Sequence, residues 1–314
     1  MLARVLLVTA LLLLCGCSPH GPSVSIDGSS TVFPIVNVMA EDFGNAHPGV
    51  RIVANKSGTG SGMQKFARGE IDIATASRPI EAKELEALAA AKVEFVEIPL
   101  AYDGVTVIVH PSNPITRLSH EQLRSAWQLN PSINDWAALG GHPGKIAFYG
   151  PTDNHGTYEV FTEAINGKKG NIRRDVQANQ DFNVVVQSVA GDPKGMGYVG
   201  LDYYLENLDK VKAVAVDGVK PTPESIADGS YAPLSRPLFL YVSKSAMDRP
   251  EIREFVDYAL GTGGRSAVME AKYVPLTKPA LSAVRTHVAK GRTGTLFSAA
   301  RPGASVVSVL EGGR

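Results

Sequence analysis

Short β-branched and apolar runs alternate with amphipathic stretches along most of this chain. Residues 24–27, 51–55, 71–76 and 95–100 read as strands, with helical periodicity between them at 34–45, 63–68 and 82–90. That alternation predicts an α/β fold. Residues 105–110 form a long apolar strand and 238–242 another, and the two read as paired crossovers between two lobes. A second α/β segment lies between them. Ser119-His120-Glu121-Gln122 reads as a capping box opening a helix to about Trp127. Strands are predicted at 145–149 and 196–200, and helices at 158–165, 183–190 and 202–207. Helices at 250–260, 265–270 and 279–289 are expected to return to the first lobe, and 301–314 reads as a surface tail.

Three Gly/Ser/Thr clusters interrupt this pattern where a strand gives way to a helix. They are Asp27-Gly28-Ser29-Ser30-Thr31, Ser57-Gly58-Thr59-Gly60-Ser61-Gly62 and Asp153-Asn154-His155-Gly156-Thr157. A helix start exposes backbone N–H groups and the positive end of the macrodipole, and small residues let an oxyanion approach them. Pro34 suits a first helical turn, which makes Ser30 and Thr31 candidate caps and ligand donors. Residues 72–79 place a strand end, the hydroxyl of Ser77 and the cation of Arg78 together. The glycine spacing at 58–62 is G-x-G-x-G, without the phosphate turn of a dinucleotide loop, and no G-x-x-x-x-G-K-[ST] occurs. No HExxH, GxSxG or close His/Asp grouping points to a metal cluster or an activated nucleophile, so an enzyme is not expected.

The N-terminus changes where this chemistry is placed. Arg4 precedes an apolar run at 5–14 that is too short to cross a bilayer and reads as a secretory signal. Leu14-Cys15-Gly16-Cys17 follows and resembles the bacterial lipobox. Cys17 fits as the lipidated residue, whereas Cys15 is preceded by Leu14 in place of a small residue. The chain's 2 Cys both lie here, so no disulfide framework is expected in the body of the protein. Residues 18–23 then form a short polar leash on a lipid anchor facing the periplasm or cell exterior.

Removing residues 1–17 takes away one Arg and no acid, leaving a formal charge near −1, which argues against a nucleic-acid partner. A chain of about 300 residues with 44% hydrophobic content buries a large core and suits two lobes.

Taken in order, the motifs resemble the PstS family, the substrate-binding proteins of phosphate ABC transporters. The resemblance rests on Asp27-Gly28-Ser29-Ser30-Thr31-Val32-Phe33-Pro34, on residues 57–62 followed by Phe66, on 69–74, and on Ala76-Ser77-Arg78-Pro79. Downstream it continues through 149–153, Gly156-Thr157, 161–165, 197–204, 273–276 and 294–297, nearly the whole mature chain.

The resemblance implies a two-lobed periplasmic-binding-protein fold of type II, joined by two hinge strands, with phosphate enclosed between the lobes. Lobe 1 would comprise 24–104 and 243–300, and lobe 2 residues 105–242. It implies phosphate donors at Ser30, Thr31, Val32, Thr59, Gly60, Ser77, Gly156 and Thr157, with Arg78 the candidate balancing cation. His155 departs from the pattern, because the family usually has Ser there, and Pro151 stands where many members carry Arg. A site for HPO₄²⁻ needs an acceptor for its proton, and some members use Asp where Ser77 lies. The candidates here are Asp153, a neutral His155 and a hydroxyl oxygen; an imidazolium at 155 would instead add attraction that weakens as pH rises. The implied partners are inorganic phosphate and the membrane permease of an ABC transporter, with the protein a monomer needing no cofactor or metal. Sulfate, arsenate, or a sensor or adhesin role are the competing readings.

Overall fold

The computed structural model describes residues 21–153, 155–300 and 304–312. The expected signal peptide, the lipidation position Cys17 and the first half of the leash lie outside the described residues.

The chain opens with β1 (Ser23–Gly28), α1 (Phe33–Ala46), β2 (Arg51–Ala54), α2 (Thr59–Ala67), β3 (Ile73–Ala76) and α3 (Ala82–Ala90) before entering β4 (Phe95–Val109). β1 pairs in parallel with β2 and β3, a crossover pattern that requires the intervening helices to cover the sheet. Ile35, Val36, Met39 and Phe43 recur at helical spacing on α1 and are all buried.

The second half carries β5 (Arg117–Leu118), α4 (His120–Trp127), β6 (Ala147–Pro151), α5 (Gly156–Asn166), β7 (Gln177–Asn179) and α6 (Phe182–Gly191). β8 (Gly195–Gly200), α7 (Leu201–Leu205), β9 (Lys212–Ala213), β10 (Ala215–Val216) and α8 (Pro223–Ala227) complete that lobe. The capping box at Ser119 and Gln122 forms, with the Ser119 side chain accepting from Gln122 N at 3.1 Å. β11 (Ser235–Ser243), α9 (Pro250–Ala259), α10 (Thr262–Glu270), β12 (Val274–Pro275), α11 (Lys278–Ala289) and α12 (Val306–Leu310) follow.

One strand joins the lobes. The runs at 95–100 and 105–110, expected as two strands, are a single β4 that is buried throughout. Its first part pairs antiparallel with β11 from Phe95 to Gly104, and its second with β8 from Val105 to Val109. Pro99, which cannot donate to a ladder, sits beside a register shift opposite Leu238 and Phe239, where a bulge accommodates it.

Two expectations are corrected here. Residues 238–242 were expected in lobe 2, yet β11 pairs Phe239–Val242 with Ala76–Ile73 of β3, so this strand belongs to the first lobe's sheet. The tail expected at the surface instead forms α12, whose Val306, Val309 and Leu310 are buried in the same core as Val284 of α11. Its apolar residues are spaced to bury one face, and Ser305 caps it by accepting from Ser308 N at 3.1 Å.

Candidate functional site

The first lobe brings its two Gly/Ser/Thr loops together around Asp27. This carboxylate, 1% exposed, accepts from Gly28 N at 2.7 Å and Ser57 N at 2.9 Å, while Lys65 Nζ of α2 bonds its other oxygen at 2.5 Å. Burial alone would raise the Asp27 pKa, but these bonds outweigh it and hold the group below the ordinary carboxylate range. Gly58 N donates to Gly28 O at 2.7 Å, and a Cβ on Gly62 would lie only 2.5 Å from Gly28 Cα. The two loops therefore touch backbone to backbone.

The capping expected of Ser30 and Thr31 is not seen: no side chain caps α1, and Ser29 holds the turn that precedes it. Its Oγ accepts from Thr31 N at 3.2 Å and Val32 N at 3.4 Å, leaving the Thr31 hydroxyl to face elsewhere. Thr31 is 1% exposed and its Oγ1 has no partner among the described residues; Thr75 Oγ1 is in the same state. α2 begins at Thr59, earlier than periodicity suggested, so Thr59 and Gly60 occupy its first turn with no side chain capping it. Ser77, buried just beyond β3, donates its N–H to Thr59 Oγ1 at 3.4 Å.

The second lobe supplies the third start. α5 begins at Gly156 with no side-chain cap, Thr157 is buried, and the helix points its first turn at the first lobe. The approach is close: a Cβ on Gly156 would fall 2.2 Å from Thr31 Oγ1 and 3.1 Å from Thr31 Cα. By contrast α4, α8 and α11 are closed by their own Ser or Thr caps. A cleft of about 600 Å³ runs past this junction, lined by Ser30, Phe33, His155, Gly156, Thr157 and Asp103 among others. Lys56 lies over the Phe33 ring at 5.3 Å, and Lys272 after α10 pairs with Glu206 after α7 across the lobes. Uncapped helix starts, orphaned hydroxyls and cations at the rim make a receptor for a small oxyanion.

The comparisons with known proteins agree with this geometry. The model of the PBP superfamily domain matches residues 18–262. Protein SphX of Synechococcus elongatus is 38% identical over 284 residues, 88% of this chain and 84% of that protein. The phosphate-binding protein PstS of Staphylococcus haemolyticus is 40% identical over 259 residues, 79% of each. The chain belongs to the PstS family. The crystal structure of a possible phosphate binding protein from Planctomyces limnophilus superposes with a TM-score of 0.80 at 36% identity, covering 86% of this chain and 99% of that one. The two-lobed binding-protein fold expected from the motifs is thus the fold observed.

Within this PstS-family cleft, two expected roles change. Arg78 turns to α3: its Nη1 and Nη2 donate to Glu84 at 2.9 and 2.8 Å, and Nε lies 3.0 Å from Glu81 Oε1. The bond to Glu84 raises the Arg78 pKa, and a guanidinium held on three sides by carboxylates is a poor anion ligand. Arg78→Gln is accordingly expected to lower the melting temperature while changing anion affinity by less than about threefold, as read by calorimetry. His155 packs edge-on against Phe182 with centroids 4.8 Å apart while lining the cleft, and Asp153 is exposed, which weakens its claim as acceptor. Sequence reasoning missed Asp27 as the loop anchor, Ser29 as the holder of the turn before α1, and the facing pair Asp103 and Arg236. For Asp103 the available signal was a lone charge inside a long apolar strand.

Proposed function

We propose that this protein captures inorganic phosphate between its lobes and delivers it to the permease of an ABC importer. The observation that carries this reading is the meeting of α1, α2 and α5 starts from both lobes, with Gly156 pressed on the unpartnered Thr31 hydroxyl. Thr31 and Thr59 donate hydroxyls, Val32 and Gly60 backbone N–H groups, and Ser30 and Ser77 line the first lobe's side. Gly156 and Thr157 close from the second, with His155 at the rim.

Charge-assisted hydrogen bonds contribute about 1.5–3 kcal/mol each. Six such donors total about 9–18 kcal/mol, above the roughly 8 kcal/mol of micromolar binding, with the remainder offsetting the cost of closure. Neither a metal nor a catalytic group enters this account; the protein binds and releases. Closure bends the chain where β4 passes from β11 to β8, and the closed form is what the permease reads. Cys17 carries the lipid, residues 18–23 are the leash, and a single copy works outside the cytoplasm. No helix among the described residues is long and apolar enough to cross a membrane.

Calorimetric titration with phosphate, sulfate and arsenate side by side tests the reading. Phosphate is expected to bind most tightly, and Thr31→Ala, Thr59→Ala and Thr157→Ala each to weaken it about tenfold. Full affinity in all three variants, or a preference for sulfate, would overturn it.

A further inference from the structure

A second pocket lies apart from the cleft, between α11 and the docked α12. Its volume is about 590 Å³, close to that of the cleft, and the two share no lining residue. Sites for small organic molecules fall in the same range, about 300–1,000 Å³. Ala283, His287 and Lys290 reach the pocket from one face of α11, at the spacing of four and three that aligns side chains along a helix. Gly291, with a φ of 57°, turns the chain at the end of the helix, and Arg292 lines the pocket beyond it. Leu296, Val309 and Leu310 supply an apolar wall, and Leu296 is 40% exposed.

The imidazole is what this wall does not explain. His287 is 5% exposed, and neither ring nitrogen has a hydrogen-bond partner among the described residues. The ring lies near the Glu97 backbone without reaching hydrogen-bond geometry. Burial and the neighbouring Arg292 charge lower its pKa, so at neutral pH it offers one N–H donor and one lone pair and carries no charge. Buried polar groups in native proteins are nearly always paired. An unpaired one costs about 1–3 kcal/mol, which an aliphatic side chain at this position would avoid. Lys290 and Arg292 are exposed at the rim, and neither forms an ion pair among the described residues. Basic residues at a helix C-terminus complement its dipole, which accounts for these two charges but neither for the wall nor for the ring.

The charges narrow the ligand. Lys290 and Arg292 set against Glu311 leave one net positive charge around the pocket, with His287 neutral. A monoanion balances it, whereas a dianion would bring excess negative charge toward Glu311. The wall suits an apolar body. We propose that this pocket is a second binding site, for a small organic monocarboxylate with an apolar tail. Lys290 and Arg292 hold the head, His287 donates its N–H to it, and the tail lies on Leu296, Val309 and Leu310. The site stands independently of the phosphate reading, because the cleft contributes nothing to it.

The test is calorimetric titration of the full chain at pH 7 with octanoate, beside 1-octanol, which lacks the charge, and acetate, which lacks the tail. Octanoate is expected to bind saturably, one per chain, and at least about tenfold more tightly than either control. It should also shift the His287 ring signals in the proton NMR spectrum. Replacing both rim cations, Lys290→Gln with Arg292→Gln, is expected to weaken octanoate about tenfold while leaving phosphate affinity unchanged. Absence of saturable octanoate binding below about 10 mM overturns the proposal, as does 1-octanol binding as tightly as octanoate. So does a doubly substituted protein that keeps octanoate affinity within about twofold of wild type. Should that variant fail to fold, unshifted His287 signals in wild type at saturating octanoate overturn it instead.

Discussion

Gly156→Val is expected to weaken phosphate binding by about a hundredfold while leaving the melting temperature of the ligand-free protein nearly unchanged. A side chain at this position has no room where the two lobes meet. Its Cβ alone would sit 2.2 Å from Thr31 Oγ1 and 2.9 Å from Thr31 Cβ, and the next obstacle, Thr31 Cα at 3.1 Å, is backbone. The hydroxyl could rotate away, but that would withdraw the donor the site needs, and the two γ-methyls of Val would still meet the loop. Overpacking of this kind costs about 1–3 kcal/mol, and the upper figure corresponds to the hundredfold loss. The cost falls only on closure. Within the second lobe Gly156 is the first residue of α5, where Val loses little, so opening the cleft relieves the clash. Calorimetry and small-angle scattering check this together: the variant should remain extended at phosphate concentrations that compact the wild type. Compaction at wild-type concentrations would show that the two helix starts do not meet in the bound form.

Much of this site was legible as pattern. Hydroxyl and glycine clusters between strand and helix mark an anion-binding loop because few other residues leave N–H groups accessible, and all three clusters do start helices. What pattern cannot supply is which side chain answers which donor. Ser29, Ser30 and Thr31 are equivalent as capping residues in a sequence; the turn places only Ser29 Oγ against the N–H groups of Thr31 and Val32. Arg78 next to a strand end reads as a ligand until α3 delivers Glu84 to it from six residues further on.

The fold was obscured in three places for related reasons. Pro99, Asp103 and Gly104 look like a break in β4, yet partners on both sides carry the ladder through it, since β11 and β8 meet at Gly104 and Val105. The short strands β5, β7, β9, β10 and β12 span two or three residues, below any window in which a period of two can be read. The tail was misjudged because five residues of α12 give too short a pattern, and only docking on α11 makes a helix of that length stable. Arg236 and Asp103 are 133 positions apart by number and adjacent only through antiparallel register, a relation that no local motif encodes.

Asp27→Ala tests whether the two first-lobe loops are one unit, and its expected effect on stability is the largest of the single substitutions considered. The change orphans the buried donor Gly28 N, takes the partner of the more exposed Ser57 N, and releases Lys65. The buried Gly28 donor left unsatisfied costs about 1–3 kcal/mol and the lost charge-assisted bonds add to it, so a total near 3 kcal/mol is expected, or roughly 6–12 °C in melting temperature for a chain of this size. Phosphate affinity should fall about tenfold as well, because Thr31 and Thr59 sit on the loops that Asp27 ties together. The pH dependence has a definite sign. The folded pKa of Asp27 is lowered, so its contribution is fully present above the ordinary aspartate value of about 3.9 and is lost as pH falls through the lower folded value. The gap between wild type and variant should therefore be constant from about pH 5 upward and shrink on acidification below about pH 4. Lys65→Met serves as the control, since it removes the half-exposed cation but leaves both backbone bonds to Asp27, and it should cost less than a third of the Asp27→Ala loss. Equal losses in the two variants would assign the stabilisation to the ion pair and not to the loop tie. A gap that widens toward low pH would contradict the lowered pKa on which the argument stands.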